Sequence, residues 1–73
     1  MYEREFIAKG HHVLTAGEAE ALRAAVDVLG DIEVARRVGC SRQALARAVA
    51  RFGIHAGTAA LSRAYLGAQR DAA

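Results

Sequence analysis

Residues 31–50, DIEVARRVGCSRQALARAVA, decide the fold of this chain because they read as two short helices joined by a tight turn. Ala35 lies where the first helix crosses the second, and a methyl group there lets two backbones approach closely. Gly39 follows Val38, at the position where a chain leaving a helix enters the left-handed region that glycine occupies without steric cost. Ser41 precedes Arg42, so its hydroxyl can accept from the free N–H groups of a new helix. Val34, Val38, Cys40, Leu45, Ala48 and Val49 supply apolar faces for the two helices, the buried face of the second being Leu45, Val49 and Phe52. The first is expected over residues 32–38, with Asp31 placed as its cap. The second is expected over 42–52, ending at Gly53, with Ile54 making the apolar contact that accompanies a glycine cap.

Working outward, Thr15 and Glu18 form the T-x-x-E spacing of a capping box with Leu14 as staple, so a scaffold helix is expected over residues 15–29. Its buried stripe is Leu22, Val26 and Leu29 with Ala25, while Glu18, Arg23 and Asp27 point away. On the other side, Gly57 and Thr58 are placed to cap a closing helix over 58–69, with Leu61, Ala64, Tyr65 and Leu66 facing the core. Residues 71–73 are expected to fray. Residues 1–14 form a short N-terminal arm, with a loop at Gly10, His11 and His12. The expectation is an all-α, small four-helix domain spanning residues 1–73.

The chain has 73 residues, no proline, four aromatic residues and one cysteine. That length makes one domain with a marginal core. The lone Cys40 excludes an internal disulfide and suits a reducing cytoplasm. No apolar run approaches the roughly twenty residues that span a bilayer, and the first residues do not resemble a signal peptide. A cytoplasmic protein is therefore expected. The formal charge is +2, but residues 1–30 carry three basic and five acidic residues, whereas residues 31–73 carry seven arginines and three acids. The basic half is the half with the paired helices, the electrostatic footprint of a phosphate-binding face.

Nothing points to catalysis. His11 and His12 are adjacent and diverge on any regular element, and His55 and Cys40 stand at no recognisable zinc spacing, so no metal or cofactor is expected. No glycine-rich phosphate loop or nucleophile elbow occurs. An enzyme is not expected.

Val34, Ala35, Val38, Gly39, Ser41, Leu45 and Val49 together resemble the helix-turn-helix family of DNA-binding proteins. The stretch GCSRQALARAVARFGI is also similar to the C-terminal half of factor-for-inversion-type domains, and Thr58, Leu61 and Leu66 resemble the third helix of lactose-repressor-type headpieces. The resemblance implies that the second helix of the pair enters the major groove of double-stranded DNA. Arg42, Gln43, Ala46 and Arg47 are then the base-reading residues: the arginine forks fit guanine O6 and N7, Gln43 fits adenine, and Ala46, with Ala50, lets the helix sink in. Arg36, Arg37, Ser41, Arg51, Thr58 and Arg63 are the candidates for phosphate contacts.

One small recognition helix specifies few base pairs, so a homodimer on an inverted repeat is expected, with half-sites about 34 Å apart. Its seam would lie at Tyr2, Phe6 and Ile7 or at Tyr65 and Leu66. The expected role is a nucleoid-associated transcriptional regulator, a repressor by steric block, with no small-molecule effector. The alternative is a helical protein-interaction module that keeps the fold without reading DNA. An exposed leucine or aromatic stripe on the second helix would favour that alternative, and arginine and glutamine among small alanines favour DNA.

Overall fold

The capping box forms as the spacing requires. The Thr15 hydroxyl accepts from the Glu18 N–H at 3.1 Å, and the Glu18 carboxylate accepts from the Thr15 N–H at 2.8 Å, opening helix α1 (Ala16–Leu29). These contacts come from a computed structural model, which describes residues 12–72. Most of the N-terminal arm therefore lies outside the described residues. On α1, Ala19 and Leu22 are buried and Ala25 and Val26 half-buried. Leu29 does not extend the expected stripe: the last turn is left open, with Val28 and Leu29 both exposed. Glu18 does not point away either, because it is drawn under Arg63 of the closing helix.

Gly30 alone joins α1 to α2 (Asp31–Val38). Its N–H donates to the Val26 carbonyl at 2.8 Å and its own carbonyl accepts from the Val34 N–H at 3.1 Å, so one residue closes one helix and opens the next. Its φ of +87° makes that reversal affordable only for glycine. Asp31 is consequently the first helical residue rather than the cap, a correction to the sequence reading that frees its carboxylate for a tertiary contact.

Gly39 behaves as expected. It stands at φ +93°, and its N–H and that of Cys40 both donate to the Ala35 carbonyl, at 2.8 and 3.1 Å. Ser41 then caps α3 (Arg42–Val49), its hydroxyl accepting from the Ala44 N–H at 3.0 Å.

Helix α3 stops three residues short of the expected end at Phe52. The Arg51 N–H donates to the Ala48 carbonyl and the Phe52 N–H to the Arg47 carbonyl, the paired bonds of a Schellman motif. Its left-handed position is taken by Arg51, at φ +61°, not by Gly53. Phe52, expected in the core, is 58% exposed, and Ala48 fills the place beside Leu45 and the half-buried Val49. The side chain of Arg51 holds this ending down, its Nε donating to the Leu14 carbonyl at 2.9 Å.

Ile54 is buried and exchanges two backbone hydrogen bonds with His12. That bridge sets the starts of α1 and α4 (Ala56–Ala72) side by side. The Ala59 N–H donates to the His55 carbonyl at 3.0 Å, so α4 begins before Gly57 and Thr58 rather than after them, and helix persists to Ala72 where fraying is expected from sequence. The rotation of α4 also differs: Ala59 and Ser62 are buried, Tyr65 and Leu66 half-buried, whereas Leu61 and Ala64 are exposed. Small residues at 59 and 62 let this helix settle closely against the others.

Among the described residues, each helix packs against the other three. Leu14, Leu22, Val34 and Leu45 are the large side chains fully withdrawn from water, surrounded by Ala19, Ala35, Val38, Ala48, Ile54 and Ala59. Burying one such leucine is worth about 1.5–3 kcal/mol. A core with three of them, one valine of the same depth and many alanines holds helices together mainly by closeness. Among the described residues no helix is long and apolar enough to cross a membrane.

Candidate nucleic-acid interface

Because Leu45 and Ala48 turn inward, α3 presents Gln43, Ala46 and Arg47 outward, with Arg42 exposed in its first turn and Ala50 just beyond its end. Residues 43, 46, 47 and 50 fall on one side of a helix by their spacing. No large apolar side chain is exposed on α3 itself.

The two arginines at the ends of this helix are each held by the protein. Arg42 donates from Nε and Nη2 to Oδ2 of Asp31, at 3.2 and 3.0 Å, across the turn from α2. Arg47 donates from Nε and Nη2 to the Gly53 carbonyl, at 3.1 and 2.9 Å, with its guanidinium carbon 5.6 Å from the centre of the Phe52 ring. That stacking follows from the Schellman ending, which brings the residues five apart, Arg47 and Phe52, into side-chain contact. The sequence reading missed both holders. Asp31 is eleven residues from Arg42, and helical spacing from Leu45 and Val49 predicts Phe52 in the core.

The expected phosphate-contacting residues do not form one set. Arg36 and Arg37, on α2, both donate to Glu33, and these two guanidinium groups hold its carboxyl down to about 2. That pairing was legible in the sequence, since Glu33 precedes them by three and four residues on a helix. Ser41 is engaged as a cap and Arg51 with Leu14. Thr58 is half-buried inside α4. Arg63 donates to Glu18 at 2.8 and 3.2 Å, tying α4 to α1 and, with the Thr15 N–H, keeping the Glu18 carboxyl at about 2.

Tyr65 and Leu66, named as a possible dimer seam, line an open groove between α1 and α4 with Ala21, Ala25 and Val28. The other seam candidates, Tyr2, Phe6 and Ile7, lie outside the described residues. Cys40 is half-buried at the turn, where desolvation pushes its thiol up, away from a reactive thiolate. Among the described residues no three His, Cys, Asp or Glu side chains are placed to hold a metal ion.

No protein-family model, curated protein or solved structure matches this chain.

Proposed function

We propose that this chain binds double-stranded DNA by laying α3 in the major groove, and that it acts in the cytoplasm as a small transcriptional regulator. The observation that carries this reading is the outward face of α3: Gln43, Ala46 and Arg47 with Arg42 at its start, polar or small along the helix, the one exposed ring beside it, Phe52, lying beyond the end of α3 against the Arg47 guanidinium. A face that docks on another protein is built around a cluster of aromatic or aliphatic anchors, which α3 itself does not carry. In the groove, Arg42 and Arg47 meet guanines, Gln43 meets adenine and Ala46 sets the depth of approach. Arg36, Arg37, Arg51 and Arg63, with the Ser41 and Thr58 hydroxyls, supply phosphate contacts, the arginines partly by exchanging their present acceptors for phosphate oxygens.

A homodimer on an inverted repeat gives so small a reader enough sequence to specify a site. Occupying a promoter, such a dimer represses by excluding polymerase, without a small-molecule effector.

Selection of bound duplexes from a random pool, followed by mobility shifts of the selected duplex over a salt series, tests this. Expected are a palindromic consensus and an affinity that falls steeply with salt, with the log–log slope scaling as about 0.9 per phosphate contacted. Failure of the purified chain to retain any duplex at low salt overturns the proposal.

A further inference from the structure

The same edge of the guanidinium is occupied in Arg42 and in Arg47. In each, Nε and Nη2 point at one fixed oxygen of the protein, the Asp31 carboxylate or the Gly53 carbonyl. The end edge, Nη1 with the second Nη2 hydrogen, is left over in each, and this is the edge that can meet guanine O6 and N7 together. Long arginine side chains lose rotamer freedom when immobilised. Here that ordering precedes any encounter with a ligand.

We infer that Asp31, and Phe52 together with the Gly53 carbonyl, are positioning residues that aim the two arginines of α3 end-on at guanine, so that sequence preference depends on residues that touch no base. This rests on the DNA-binding reading above. It assigns a use to two features otherwise against the grain. Asp31 places a carboxylate beside a face expected to meet phosphates, and Phe52 exposes an aromatic ring beyond the end of α3. A carboxylate there weakens attraction to every duplex alike, but it fixes the direction of Arg42. Phe52 gives the Arg47 guanidinium a flat surface to lie on while the Gly53 carbonyl holds its side edge.

The test compares the selected duplex with versions in which one guanine at a time is replaced by 7-deazaguanine, which removes the N7 acceptor. Binding is measured at fixed salt for the wild type and for Asp31→Ala, Asp31→Asn and Phe52→Ala. Phe52 is 58% exposed and Asp31 is the first residue of α2, and unchanged thermal melting shows that the variants fold. In the wild type, deaza-substitution at two guanines is expected to cost about tenfold each. Asp31→Ala is expected to shrink the penalty at one of them to about twofold while raising affinity for random duplex. Asp31→Asn, which keeps an acceptor without the charge, is expected to restore part of the penalty, and Phe52→Ala to shrink it at the other guanine. If the wild type shows both penalties and the variants keep them, Asp31 and Phe52 are surface residues and this inference falls while DNA reading stands. If the wild type does not distinguish its selected duplex from a scrambled one, both fall.

Discussion

Ser62 carries a hydroxyl into the core with no hydrogen-bond partner among the described residues, at 0% exposure. An unsatisfied buried hydroxyl costs about 1–3 kcal/mol, and alanine is also the better helix former. Ser62→Ala is expected to raise stability by about 1 kcal/mol in urea denaturation, and a loss instead would show that the hydroxyl is bonded. Glu18 tests the ion pair between α1 and α4. Its carboxyl, ordinarily at 4.5, is held at about 2 by Arg63 and then by the Thr15 N–H. A depressed carboxyl adds stability that is complete above the unfolded value and is lost as pH falls through the folded one. Glu18→Gln keeps an acceptor for the capping box and removes the charge. The wild type should therefore exceed this variant in denaturation midpoint at neutral pH, and the gap should close between about pH 4.5 and pH 2. A gap that persists at pH 2 would mean the contact is not ionic. Residue-scale features such as the Thr15 and Ser41 caps and the φ > 0 at Gly39 were legible because each depends on neighbours a few positions away. Asp31 reads as a cap by local spacing, which does not reveal that Gly30 both ends α1 and begins α2.

Helix α3 owes its place to Ala35, which is buried and whose carbonyl accepts two bonds at the turn. Ala35→Leu adds bulk between packed helices and is expected to cost about 1–3 kcal/mol, read as a lower urea midpoint. If DNA binding is measured in parallel below the midpoint, affinity should drop more than the unfolded fraction explains, because the wedge tilts α3. The ends of α3 and α4 were the least legible elements. Sequence put the glycine cap at Gly53, yet the chain turns at Arg51, where the bond from its Nε to the Leu14 carbonyl offsets a conformation that an L-residue rarely adopts. Likewise α4 begins at Ala56 because the His12–Ile54 bridge fixes the chain two residues before it, so Gly57 and Thr58 are carried into the helix.

At the scale of the molecule, the arginine-rich half is less cationic than its composition suggests, since Asp31, Glu33 and Glu18 hold four of the arginines. Glu33 pairs with two of them at once. Glu33→Gln is expected to raise affinity for random duplex several-fold at low salt and to steepen the log–log salt slope by about 1. An unchanged slope would place Arg36 and Arg37 outside the phosphate-contacting set. The groove between α1 and α4 lies apart from the α3 face, its apolar floor of Ala21, Ala25 and Val28 edged by Arg63 and Arg70. Sequence alone determined that the chain is helical, where the α2–α3 turn falls and that α3 turns Gln43, Ala46 and Arg47 outward, because apolar period and local capping suffice for each. Tertiary structure alone decided which arginines are neutralised, where α3 stops and which face of α4 is buried. Those outcomes depend on groups distant in sequence, Asp31 with Arg42, Leu14 with Arg51 and Glu18 with Arg63, which only the packing of four helices brings within hydrogen-bonding reach.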